Sequence, residues 1–308
     1  MKTDAVTPQD LRRSVISVPP LARNADYSFN EAHNEALLAH MRDGGVTTYM
    51  YGGNANLYHM GISEFGPFLE MLGRLARDGD WMIPSIGADF GKAMDQASIA
   101  REHQFPTIMV LPQRFPVAPA GVATGLRRIA ECYGKPVIAY VKDEGYVEPE
   151  DLGKLVADGL VCAIKYAIVR ENPAQDAYLS RLLDHVDRDL VISGIGERPV
   201  IDHFREFGLR AFTSGSVCVA PRLSNAIRVA LQNGDHDSAS MVRELFIPLE
   251  DARDEHSPMR VLHDAVGFAG IADMGPMLPM QANLADERAI AETREAATAL
   301  RKLNDEAA

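Results

Sequence analysis

The chain has 308 residues, enough for two ordinary domains or for one large α/β barrel with an appendage. Hydrophobic residues make up 46% and charged residues 24%, the balance of a globular protein that can bury a sizeable core, which excludes disorder and fibrous repeats. The 31 Lys+Arg against 43 Asp+Glu give a formal net charge of −12, and no basic cluster stands out against it, so nucleic acid and anionic membrane are not expected partners.

Short β-branched runs alternate with longer amphipathic stretches from about residue 14 to residue 233. The expected strands are Ser14–Val18, Val46–Tyr51, Trp81–Ile86, Thr107–Leu111, Pro136–Val141, Leu160–Lys165, Leu190–Ser193 and Ala211–Ser214. Between them, Asn30–Arg42, Glu64–Arg77, Lys92–Glu102, Val122–Tyr133 and Ala174–Val186 carry apolar residues at three- and four-residue spacing, as crossover helices do. Strands that are nearly all apolar imply a parallel sheet buried on both faces, and eight such units imply a (β/α)8 TIM barrel over 1–221. A doubly wound open sheet competes with it. That fold ordinarily shows G-x-G-x-x-G after its first strand, where this chain has Pro19-Pro20. After Pro221, the stretches Arg222–Asn233, Ser238–Glu250, Pro258–Ala269 and Glu287–Asn304 are helical with no strands between them, an all-helical extension over 222–308. Ala272–Asn283, with two prolines and three methionines, reads as an interhelical loop, either plain or packed against the barrel or another subunit.

Cys132, Cys162 and Cys218 have no C-x-x-C spacing and read as buried thiols of a reducing compartment. The first twenty residues lack a signal-peptide core and no run approaches the length of a membrane span, so the expected location is cytoplasmic.

In a barrel the chemistry sits at the C-terminal ends of the strands. Of seven lysines, six fall in termini, helices or loops; Lys165 instead closes the sixth strand in Val161–Ile168, an apolar run where an ammonium is costly to bury. Burial favours the neutral amine, the form that attacks a ketone to make a Schiff base, whereas a structural lysine paired to a buried carboxylate reads equally well. Tyr140 ends the fifth strand, beside Lys165, where its hydroxyl could shuttle protons; a tyrosine there also serves as packing. The loop Gly52–Tyr58 offers small residues and backbone N–H groups suited to a carboxylate, or forms a tight turn. The nine histidines show no metal-ligand spacing and there is no G-x-S-x-G elbow, so no metal and no cofactor are expected.

Together these residues resemble the dihydrodipicolinate synthase and N-acetylneuraminate lyase superfamily almost end to end. Tyr140 and Lys165 match its strand-five tyrosine and strand-six lysine; Leu190–Gly194 and Ser214–Pro221 match two further segments. The resemblance implies a (β/α)8 barrel with a C-terminal helical domain, commonly a homotetramer, whose lysine forms an imine with pyruvate or another 2-keto acid. It also implies that Lys165 and Tyr140 are catalytic and that Gly53, Asn54 and Ala55 lie in the carboxylate-binding loop; Arg114 and Thr213 are further expected substrate-binding residues. The chain departs from the synthases in three places. Gly53–Leu57 lacks the hydroxyl residues of their carboxylate loop, Arg114 stands near their second tyrosine, and the arginine that follows Tyr140 in them is absent.

The expected function is therefore a lyase acting through a Schiff base on a small keto acid, of aldolase or 2-keto-3-deoxy sugar acid dehydratase type, in a homotetramer or homodimer. The competing expectation is a degenerate barrel that binds a keto acid or sugar acid as a regulatory protein.

Overall fold

The structure is a computed structural model and describes residues 1–307. Eight strands hydrogen-bond in chain order into a closed barrel: β1 (Ile16–Ser17), β2 (Thr48–Tyr51), β3 (Trp81–Ile86), β4 (Met109–Val110), β5 (Val137–Val141), β6 (Val161–Tyr166), β7 (Val191–Ser193) and β8 (Ala211–Ser214). Every strand falls within or within one residue of an expected run, so the TIM barrel is the fold and the open sheet is not. The pairings are parallel, as crossover helices require. The helices are α1 (Pro8–Arg12), α2 (Glu31–Asp43), α3 (Ile62–Leu75), α4 (Phe90–Arg101), α5 (Pro119–Tyr133), α6 (Pro149–Ala157), α7 (Ala177–Leu183), α8 (Val200–Phe207), α9 (Pro221–Gln232), α10 (His236–Glu244), α11 (Ile247–His256), α12 (Pro258–Phe268) and α13 (Glu287–Glu306).

The chain forms two compact units. One comprises residues 1–13, 61–195 and 199–213, the other 14–60, 196–198 and 214–308. The first holds β3 to β7, most of β8 and the helices α1 and α3 to α8, around a core that includes Trp81, Phe65, Phe68, Phe105 and Tyr133. Asp89 and Asp176 start α4 and α7 by accepting the backbone N–H groups of Lys92 and Leu179. The second unit holds β1, β2, α2 and α9 to α13, with Tyr49, Phe246, Leu249, Leu262 and Leu300 buried.

Two sequence expectations change. Ser238–Glu250 is not one helix: it breaks at Leu245-Phe246 into α10 and α11, because Pro248 has no N–H to donate to the preceding turn and fits only in the first turn of a new helix. The thiols are less uniformly buried than expected; Cys218 is enclosed while Cys132 and Cys162 are half-buried, all three unpaired in disulfides. The Ala272–Asn283 segment is an interhelical loop held down inside its unit. Met274, Met277 and Leu278 are buried, Met274 carbonyl accepts Arg23 N–H at 3.0 Å, and the Asn283 amide donates to Asp264 at 2.7 Å. No helix among the described residues is long and apolar enough to cross a membrane.

Candidate active site

Lys165 lies on β6 directly opposite Tyr140 on β5, in a register that runs on through Val141 and Tyr166. Each residue is therefore the last but one of its strand rather than the last. Lys165 is 5% exposed, and its Nζ sits 4.1 Å from the centre of the Tyr140 ring, on the ring face. The direction of these side chains follows from their neighbours. Tyr166 stacks on Tyr178 of α7 and meets His203 of α8 edge-on, so it faces the helix layer. Alternation along the strand then turns Lys165, with Tyr140 at the same register, to the barrel interior.

Gly194, just past β7, closes on the lysine stem. Its N–H donates to the Tyr166 carbonyl at 2.6 Å, and a Cβ there would come within 2.9 Å of Lys165 Cγ and 2.6 Å of the Tyr166 carbonyl oxygen. Only glycine allows that approach.

Behind the lysine, the Tyr166 hydroxyl donates to the buried Asp176 carboxylate, which also receives Arg170 Nε at 2.9 Å and the Leu179 N–H at 2.9 Å. Arg170 reaches on to Glu144. Burial pushes the Asp176 carboxyl up, but hydrogen bonds from Arg170, Tyr166 and the Leu179 N–H outweigh it and hold the group below the ordinary carboxylate range. Burial, then the neighbouring Asp176, keep the Tyr166 phenol protonated well above its ordinary value. This network ties the end of β6 to the first turn of α7. The sequence hides it because Asp176 sits outside any motif and Tyr166 reads as one more strand residue.

The remaining expected site residues are distributed as follows. Thr213, on β8, is 1% exposed. Arg114 makes two 3.2 Å contacts to Asp143 from side chains that are 71% and 46% exposed, a solvated pair of small energetic weight. In the other unit, Gly53, Asn54 and Ala55 share one turn closed by the Asn56 N–H on the Gly53 carbonyl at 2.8 Å. The Asn54 side chain donates to the Val18 carbonyl at 2.8 Å, Ala55 is buried, and Asn56 adopts φ 58° with its amide on the Leu278 carbonyl.

A cluster with no counterpart among the expected site residues lies wholly in the second unit. Glu197, fully buried after the Gly194-Ile195-Gly196 turn, accepts the Ser224 hydroxyl at 2.6 Å through one oxygen, while its other oxygen has no hydrogen-bond partner. Glu250 of α11 accepts Arg253 Nη1 at 2.8 Å and the Ser216 hydroxyl. Gly196, at φ 83°, leaves just enough room for Glu250, since a Cβ would stand 3.1 Å from its Oε2; at Gly215 a Cβ would stand 3.0 Å from Arg253 Nη2. Glu250 thus pairs with the buried guanidinium, whose charge also reaches Glu197. Burial, and next the charge of Glu250, push Glu197 from its ordinary 4.5 up to about 7.

A carboxyl whose folded value is raised stabilises the fold while protonated, and that stability is lost as pH climbs from 4.5 through 7. Chemical denaturation should accordingly show wild type losing about 2 kcal/mol across this window, with Glu197→Gln removing most of the slope. A variant with an unchanged slope would mean that Glu197 does not carry the proton.

Among the described residues, Glu255, His256 and Glu292 bring three groups of metal-ligand type together. Arg288 bonds both glutamates, at 2.8 and 2.7 Å, and His256 contacts Glu292 at 2.8 Å, so they form a surface ion-pair network.

The closed parallel barrel followed by helices is the fold of solved dihydrodipicolinate synthases and of a sialic acid aldolase. No family model matches the chain. Dihydrodipicolinate synthase from Bacillus clausii superposes with a TM-score of 0.82 at 20% identity, covering 96% of this chain and 99% of that one. A catalytic-lysine mutant of the Ruminococcus gnavus sialic acid aldolase gives 0.82 at 12% identity, covering 97% and 99%. Among curated proteins, a probable 5-dehydro-4-deoxyglucarate dehydratase of Streptomyces coelicolor is 22% identical over 250 residues, 80% of this chain and 76% of that protein.

Proposed function

We propose that the protein is a lyase that forms a Schiff base between Lys165 and pyruvate or another 2-keto acid. The observation that carries this reading is the Lys165 amine, withdrawn from solvent and held against Tyr140 on adjacent barrel strands. In the proposed reaction Nζ attacks the keto carbon and forms a carbinolamine, which loses water to give an iminium. The positive nitrogen then draws in the electron pair left when a proton, or a carbon–carbon bond, is removed at the neighbouring carbon. Where a proton is removed and a hydroxyl lies one carbon further along, the enamine expels that hydroxyl with a proton as water, a dehydration; where the carbon–carbon bond breaks, the hydroxyl on the far carbon gives up its proton, that fragment leaves as an aldehyde and the enamine is protonated, an aldol cleavage; in either case water hydrolyses the iminium and frees the Lys165 amine. Tyr140, next to the amine, is the proposed carrier of protons to and from the departing oxygen.

The resemblance to a named sugar-acid dehydratase and to a sialic acid aldolase with a catalytic lysine supports this class. The departures from the synthases at Gly53–Leu57, at Arg114 and after Tyr140 favour a 2-keto-3-deoxy sugar acid over the substrates of lysine biosynthesis. One contact favours the second reading, a keto-acid or sugar-acid binding protein. The ring face of Tyr140 is a good seat for a permanent ammonium, through a cation–π interaction.

Borohydride reduction in the presence of pyruvate, followed by peptide mass spectrometry, separates the two. The lyase reading expects a reduced pyruvate adduct on the peptide that carries Lys165. No adduct with pyruvate or with a panel of longer 2-keto acids would overturn it in favour of the binding protein.

A further inference from the structure

The loop that follows α12 closes one wall of a cleft of about 690 Å³, and every residue lining it lies within the second unit. Helix α2 supplies His33 and Ala36, α12 supplies His263, Asp264 and Phe268, and the loop over 270–275 completes it. The loop is pinned in place. The Met274 carbonyl accepts the Arg23 N–H at 3.0 Å, and Gly275, at φ 66°, packs so closely that a Cβ would stand 1.9 Å from the Arg23 carbonyl oxygen. Only glycine can take this place. The Gly275 carbonyl is held in turn by the Asn283 amide at 3.1 Å and by His263 Nε2 at 2.9 Å.

Those bonds settle which atoms remain for a ligand. His263 is 3% exposed, and burial holds its imidazole below the ordinary value, so the ring is neutral. Its one proton sits on Nε2, because the partner there is a carbonyl oxygen, and Nδ1 is left as an acceptor with no hydrogen bond from the described residues. The charges of Asp264 and Asp273 both act on this ring. Asp264 accepts the Asn283 amide and the Leu284 N–H, each at 2.7 Å, one through each oxygen. Asp273 accepts the Gly275 N–H at 3.0 Å through one oxygen and leaves the other open. Arg260, one turn before Asp264, is spent on the Ala282 and Asn283 carbonyls. The C-terminal end of α12 adds partial negative charge at Gly267 and Phe268. His33, whose Nδ1 accepts the Asp273 N–H at 3.2 Å, contributes one N–H through its other nitrogen.

We propose that this cleft binds an aliphatic primary ammonium, held between Nδ1 of His263 and the carboxylates of Asp264 and Asp273, with its apolar stem along Ala36, Phe268 and Ile271. An ammonium offers three donors and no acceptor, which matches a wall whose remaining capacity is chiefly that of acceptors and whose charge is negative. A carboxylate or a phosphate would meet charges of its own sign. Lys165 and Tyr140 belong to the first unit, and the inference does not rest on the lyase reading.

Isothermal titration calorimetry on the full chain at pH 8 and low salt, with n-butylammonium chloride as the probe, tests it, and circular dichroism confirms that each variant is folded. Wild type is expected to bind the probe saturably with a dissociation constant below about 1 mM. Tetramethylammonium, which carries the charge but no N–H, should bind at least about tenfold more weakly. Asp273→Asn keeps the oxygen that accepts the Gly275 N–H and removes the charge, and should weaken binding of n-butylammonium by about tenfold or more. Ala36→Phe, at an exposed position of α2, places a ring in the cleft without touching its polar atoms and should weaken binding as much. No saturable binding up to about 10 mM would overturn the proposal. So would equal affinity for tetramethylammonium, or binding that either substitution leaves unchanged.

Discussion

Replacing Lys165 by methionine is expected to abolish turnover of 2-keto acids, by at least about 10⁴-fold, while the fold survives. Methionine keeps most of the apolar stem that lies against Gly194 and removes only the amine, so packing at the β6–β7 contact is largely preserved. The amine also loses its seat on the Tyr140 ring, and removing a buried polar group offsets that loss. Steady-state rates, borohydride trapping and thermal unfolding on one preparation therefore give a clean contrast: no rate, no adduct, near-normal unfolding. Retained turnover would end the Schiff-base mechanism, since no other lysine of the seven lies within a barrel strand.

Replacing Arg253 by methionine should produce the largest loss of stability, about 3–5 kcal/mol at neutral pH or above. The guanidinium is the one cation that bonds Glu250 in this buried cluster, and its charge also acts on Glu197. Removing it leaves two enclosed carboxyls with neutral serine hydroxyls, Ser216 and Ser224 among them, as hydrogen-bond donors. At lower pH Glu197 takes up a proton, so the deficit should shrink towards pH 5, where an ordinary cavity-forming substitution would keep its full cost. Urea unfolding at the two pH values measures this directly. A loss below about 1 kcal/mol at pH 8 would show that the cluster is hydrated or relaxes.

Lys165 was legible because a charge inside Val161–Ile168 violates the pattern of its strand, and violations of pattern mark special residues. Its neighbour on the next strand was legible for the same topological reason, since parallel strands in chain order set their ends side by side. Glu197 gave no such signal. A glutamate after Gly194-Ile195-Gly196 looks like any polar residue leaving a turn, and Glu250 looks like the polar end of the expected helix Ser238–Glu250, with Arg253 beyond it. Asp176 was likewise read as part of a helix, Ala174–Val186, that in fact begins one residue after it; the carboxylate is the cap.

Local patterns alone determined the eight strands, most of the helices and the position of one anomalous lysine, because apolar period and chain order are properties of neighbours in sequence. The tertiary structure decided what contacts between distant segments decide. It seated the lysine amine on a tyrosine ring and closed Gly194 over its stem. It buried two carboxyls around one arginine, breaking a single expected helix at Pro248, and it turned one face of α13 inward and the other to solvent. Each depends on which side chains lose water together, and burial is set by the packing of the whole unit rather than by any stretch of its sequence.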